Sequence, residues 1–97
     1  MNTSRLSLSH LRAFQALVTT GSFTEAGKAL RVSQSAISHG VSALESALDL
    51  KLIESRSRHA RTITLSDAGR EVLSQATEIL SRVEALQLFA DEFKPLP

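Results

Sequence analysis

The 97-residue chain has no cysteine, tryptophan or tyrosine and only four phenylalanines. Without cysteine it has no disulfide bridges, cysteine-ligated metal sites or thiol nucleophiles. So few aromatic side chains predict an aliphatic core and argue against RNA binding by stacked bases. No apolar run approaches the roughly 20 residues of a membrane-spanning helix, and the N-terminus lacks the apolar segment of a secretory signal. We therefore expect one compact domain in the cytoplasm, without membrane contact.

Charge is distributed unevenly along the chain, although the formal net charge is only +1. Residues 1–65 carry eight basic and four acidic side chains, whereas residues 66–97 carry three basic and six acidic ones. A basic front portion favours contact with a polyanion, and the acidic remainder indicates a different task. Taken alone, such asymmetry is more often only a solvated surface.

Apolar spacing and capping residues predict three helices in the first half. Ser7 and Gly21 bound a first helix whose apolar face holds Leu8, Leu11, Phe14, Leu17 and Val18. Ser22 and Glu25 form a capping box for a second, short helix, and Ser33 caps a third. The third helix has an apolar stripe of Ile37, Val41, Leu44 and Leu48. Its opposite side is uncharged and hydrogen-bonding, with Ser35, Ser38, His39, Ser42 and Ser46.

The helical spacing of apolar residues stops between Leu50 and Leu65. There the segments KLIE, SRSRHAR and TITL predict two short strands joined by a basic turn. Two helices with a short turn, followed by a basic hairpin, are typical of a winged helix-turn-helix, in which the second helix enters the DNA major groove. The Gln34 amide can read adenine through two hydrogen bonds to its N6 and N7 atoms. No acidic residue lies on the polar face of the third helix before Glu45. The candidate DNA contacts are Ser33, Gln34, Ser35, Ser38, His39, Ser42, Arg56, Arg58, His59 and Arg61.

A long last helix begins after Ser66 and carries apolar residues at alternating spacings of four and three, which is the pattern of a coiled coil. A second stripe, Leu73 and Leu80, suits contact with the first three helices. The first stripe then either forms a seam with a second chain or belongs to the core of this one. The candidate dimer interface is Val72, Ala76, Ile79, Val83, Leu86, Ala90 and Phe93.

The predicted fold is mainly α: a winged helix-turn-helix over residues 1–65, with a short two-stranded wing, and a long C-terminal linker or dimerisation helix over residues 66–94. The favoured function is sequence-specific binding of double-stranded DNA as a homodimer. A winged-helix module that binds another protein is the alternative. We expect no enzyme, because Ser38 and His39 lack an orienting acid and an oxyanion turn. We expect no cofactor or metal, because His10, His39 and His59 have no helical partner at i, i+4.

The string GSFTEAGKALRVSQSAISHGVSALESALDLKLIESRSRHARTITLSDAG resembles the DNA-binding domain of LysR-type transcriptional regulators, which are bacterial. The resemblance runs from about Leu8 to Leu86 and is most specific from Gly21 to Leu52. It implies dimerisation through the linker helix, with the wing on the DNA backbone or minor groove. It also implies a C-terminal domain that binds a small-molecule inducer, and residues 95–97 then begin the hinge to that absent domain.

Three positions on the third helix depart from the family pattern. Many relatives have Pro where Ser35 stands, Arg where His39 stands and a larger side chain at Gly40. His39 in place of Arg removes a permanent charge and a bidentate reader of guanine. Gly40 costs about 1 kcal/mol of helix stability relative to Ala, and two interpretations stay open: a closer approach of the backbone to DNA, or drift.

Overall fold

A computed structural model describes residues 5–55 and 63–95. Within them the element order is α1 (Leu8–Thr20), α2 (Phe23–Leu30), α3 (Gln34–Leu48), β1 (Ile53–Ser55), β2 (Thr64–Leu65) and α4 (Asp67–Phe93). The mainly helical fold with a two-stranded wing and a long last helix is therefore confirmed. In the described part of the chain, no helix combines the length and apolar character needed to cross a membrane.

The helix boundaries follow the predicted capping residues closely. Three serine side chains each accept a bond from the backbone N–H three residues further on, at 2.9–3.0 Å: Ser22, Ser33 and Ser66. Ser7 holds the N-cap position of α1 without a side-chain bond, and Gly21 ends that helix in the left-handed region. Only the serine half of the predicted capping box forms among the described residues, because the Glu25 carboxylate pairs instead with Lys28 at 3.7 Å.

The core lies where α1, α3 and the first half of α4 meet. Phe14 and Leu17 of α1 have no exposed surface, and neither do Val41 and Leu44 of α3. Leu48 packs against this cluster, so the apolar stripe predicted for the third helix is confirmed. Because that stripe faces inward, the opposite, polar side of α3 is turned away from the core.

The base of the wing is hydrogen-bonded to α3 and to the N-cap of α4. Strands β1 and β2 are antiparallel, with Ile53 opposite Leu65. The Glu45 carboxylate on α3 accepts bonds from the backbone N–H groups of Leu52, at 2.8 Å, and Ile53, at 3.3 Å. The backbone N–H of Ser66, the cap of α4, donates to the Leu52 carbonyl at 2.9 Å. These bonds fix where the wing leaves α3 and where α4 begins.

The apolar stripe of α4 is divided between two environments. Ala76 is 1% exposed, and Val72 packs against the same core. Leu86 and Phe93, further along the stripe, are 67% and 76% exposed. Val72 and Ala76, which were predicted to contact a second chain, therefore pack in the core of this chain. The C-terminal end of the stripe is exposed. The second stripe lies as predicted, with Leu80 buried and Leu73 against the core.

Candidate nucleic-acid interface

A tight turn between α2 and α3 sets the position of the polar helix face. Arg31 ends α2 in the left-handed region at φ 59°, and the Val32 N–H returns to the Gly27 carbonyl at 2.9 Å. A Cβ atom at Gly27 would lie only 2.8 Å from the Val32 carbonyl oxygen. Glycine at this position lets the turn close against α2, and Ser33 then starts α3 directly.

Five polar side chains line one open depression along α3: Gln34, Ser35, Ser38, His39 and Ser42. Ser38 is half-buried and the other four are exposed. All five were predicted from the sequence as DNA contacts, and the structure brings them together on one surface. We call this set the α3 polar surface. Its side chains offer hydrogen-bond donors and acceptors with no carboxylate among them, which suits the mixed edges of base pairs.

Ser33 lies at the start of this surface with its side-chain oxygen already engaged. The oxygen accepts the Ala36 N–H at 3.0 Å, which leaves its hydroxyl hydrogen free to donate. The first backbone N–H groups of α3 and the positive end of the helix dipole lie at the same end. This arrangement favours a negatively charged neighbour such as a phosphate.

Two side chains outside α3 adjoin the surface and were not predicted from the sequence. The Thr24 hydroxyl on α2 donates to the Gln34 Oε1 atom at 3.1 Å. The imidazole ring of His10 on α1 meets that of His39 edge to face, with ring centroids 6.1 Å apart. Both contacts join different helices, so the spacing of residues within one helix gives no signal for them. In the described ranges, no three metal-ligating side chains come together.

The remaining DNA contacts predicted from the sequence fall between β1 and β2 along the chain. Arg56, Arg58, His59 and Arg61 lie outside the described residues. Their contact with DNA stays a prediction from the sequence.

From its middle to its C-terminal end, α4 carries a second exposed surface, which is apolar. Ile79, Leu86, Phe89 and Phe93 are between 40% and 76% exposed, and we call this set the α4 apolar surface. At 100° per residue these four positions fall within roughly 80° of the helix circumference. Phe89 and Phe93 pack their rings together, with centroids 5.0 Å apart. The predicted positions Val83 and Ala90 are half-buried on the adjoining side.

The winged helix-turn-helix fold, with the α3 polar surface exposed, is typical of regulatory proteins that bind DNA. Residues 8–70 match the family model described as bacterial regulatory helix-turn-helix protein, lysR family. The chain therefore belongs to the lysR family of bacterial regulatory helix-turn-helix proteins.

Comparison with individual proteins gives the same result. The chain is 37% identical over 91 residues to the uncharacterized HTH-type transcriptional regulator YvbU of Bacillus subtilis. The matched segment covers 94% of this chain and 30% of YvbU. The chain spans about half or less of the length of the curated relatives it matches.

Two solved structures of DNA complexes are also similar. The BenM DNA-binding domain with benA site 1 DNA superimposes with a TM-score of 0.79 and 29% identity, covering 92% of this chain and 100% of that one. The CbnR DNA-binding domain in its DNA complex gives a TM-score of 0.79 and 32% identity, covering 90% of this chain and 97% of that one.

Proposed function

We propose that this chain is the DNA-binding domain of a LysR-type transcriptional regulator and binds double-stranded DNA sequence-specifically, with α3 in the major groove. The observation that carries the proposal is the α3 polar surface. A helix with an acid-free, hydrogen-bonding side turned away from the core fits the width of the major groove. Similarity to two DNA-binding domains solved with DNA supports the same conclusion.

Each part of the surface has a chemical role in this proposal. Gln34 donates to adenine N7 and accepts from adenine N6, which reads that base through two bonds. Ser38, His39 and Ser42 bond to base edges or phosphates further along the groove. Ser33 and Ser35 hold a phosphate at the start of α3, where the helix dipole favours it. In the wing turn, Arg56, Arg58, His59 and Arg61 contact the backbone or the minor groove.

Replacement of Gln34 by Ala tests the proposal. A preferred duplex is first selected from a pool of random double-stranded DNA, and dissociation constants are then measured for it and for a scrambled duplex. Loss of a bidentate base contact costs about 1–3 kcal/mol of discrimination. We therefore expect Gln34→Ala to lower the ratio of the two constants about fivefold to 150-fold. The matched control is Gln75→Ala, an exposed position on α4, which should leave the ratio unchanged.

An unchanged ratio for Gln34→Ala would remove α3 from the recognition surface. That result would favour the alternative function, in which the winged helix binds another protein and its wing meets an acidic partner.

The proposal includes a homodimer formed through the α4 apolar surface. An exposed patch of four large apolar side chains on one side of a helix is typical of an interface with another chain. Two copies joined there present two α3 helices to one duplex. The preferred site is then an inverted repeat, with half-sites one helical turn or a multiple of it apart.

Three further parts of the proposal come from the family. The chain acts by binding and not by catalysis. A C-terminal effector domain, joined through a hinge that begins at residues 95–97, binds a small-molecule inducer in the full-length regulator. A regulator that binds the chromosome of a bacterium works in the cytoplasm.

A further inference from the structure

A hydrogen bond between two exposed side chains links α2 to the base-reading residue of α3. The Thr24 hydroxyl donates to the Gln34 Oε1 atom at 3.1 Å. Thr24 lies in the first turn of α2, just after the Ser22 cap, and Gln34 is the first residue of α3. Among the described residues, no other bond involves either side chain. The Thr24 hydroxyl therefore restrains the Gln34 amide and no other described side chain.

The bond holds the Gln34 amide with its oxygen end toward Thr24. The oxygen and nitrogen ends of a glutamine side chain have nearly the same shape, and half a turn of the amide group exchanges donor and acceptor. A hydroxyl can donate to Oε1 or accept from Nε2, and in the structure the Thr24 hydroxyl donates to Oε1. It leaves both Nε2 hydrogens and the second lone pair of Oε1 available to a base. It also restricts a flexible side chain before binding, which lowers the entropy cost of ordering it on DNA.

We propose that Thr24 is a positioning residue for Gln34 and that it determines base preference without touching the base. This inference rests on the proposed function, because it requires Gln34 to read DNA. Adenine presents a donor at N6 beside an acceptor at N7, so it matches the amide in one orientation only. Holding the amide in place before binding lowers the entropy cost of making both bonds to the matching base, which raises the preference for that base over the other three.

The experiment compares base preference at a single position of the DNA site. Selection from random duplexes with the wild-type chain and with Gln34→Ala identifies the base pair whose preference depends on Gln34. Thr24→Val removes the hydroxyl and keeps nearly the same volume. We expect it to lower the preference at that base pair about threefold to tenfold, the size of one neutral hydrogen bond. Preferences at other positions should stay unchanged.

Matched variants separate positioning from structure. Thr24→Ser keeps the hydroxyl and should restore the preference, whereas Thr24→Ala should behave like Thr24→Val. Thr19→Val makes the same change at an exposed position of α1 and should have no effect. In the Gln34→Ala background, Thr24→Val should cause no further change, because the group that it positions is gone.

Three results would overturn the inference. Thr24→Val could leave the preference intact while Gln34→Ala removes it, or it could weaken binding to all sequences equally. It could also change the preference in the Gln34→Ala background, which would make Thr24 an independent contact. In each case Gln34 still reads DNA, and only the role of Thr24 is lost. A wild-type chain that shows no base preference would instead contradict the proposed function itself.

Discussion

Gly40 lies at the crossing of α3 and α1, and its lack of a side chain is explained by that crossing. A Cβ atom there would lie 3.0 Å from the Ala13 Cβ atom and 3.5 Å from the His10 Cδ2 atom. Gly40 is buried on this side, so it brings the two helices close together. Neither interpretation drawn from the sequence included this role, because spacing within α3 carries no information about the position of Ala13.

Glu45 is a second residue whose role depends on contacts distant in sequence. Its carboxylate accepts two backbone N–H bonds at the base of the wing. Glu45→Ala leaves those donors without their charged acceptor, and we expect the free energy of unfolding to fall by about 1–3 kcal/mol. Urea unfolding at fixed protein concentration measures this loss. Glu78→Ala, at an exposed position of α4, is the control and should change stability by less than about 0.5 kcal/mol. Equal losses in both variants would show that the bonds at the wing base contribute little.

Among the elements, the helices and their caps were predictable because their signals are local. The serine caps at Ser22, Ser33 and Ser66 and the apolar stripe of α3 use residues three or four apart. The division of the α4 stripe was not predictable, since Ala76 and Leu86 belong to the same apolar stripe yet are 1% and 67% exposed. Helix α1 and strand β2 pack against α4, and the spacing of residues along α4 does not show which part of the helix they cover.

The exposed half of α4 leads to a prediction about assembly. Leu86→Asp places a charge in the α4 apolar surface, and desolvating that charge in a seam between chains is unfavourable. We expect sedimentation velocity to show mainly monomer for this variant and dimer for the wild type. Because Leu86 is 67% exposed within its own chain, the helical circular dichroism of the monomer should be retained.

Ser81→Asp adds the same charge about 140° around α4 from Leu86, where the side chain is also exposed. It should sediment as the wild type does. A Leu86→Asp variant that remains fully dimeric would move the interface away from the α4 apolar surface.

At the scale of the whole molecule, the charge distribution agrees with the proposed function. The basic excess lies in residues 1–65 and the acidic excess in residues 66–97. A duplex would attract the first part and repel the second, so the charges favour an orientation with the helix-turn-helix on DNA and α4 available for the second chain.

Selection of bound duplexes from a random pool, sequenced at two salt concentrations, tests the central claim most directly. Specific dimeric recognition predicts enrichment of an inverted repeat that persists at the higher salt, because base contacts add to the salt-dependent phosphate contacts. Enrichment of a single half-site would contradict the dimer. If no sequence were enriched and all binding disappeared at the higher salt, the basic portion would be a non-specific polyanion surface and sequence-specific DNA recognition would be contradicted.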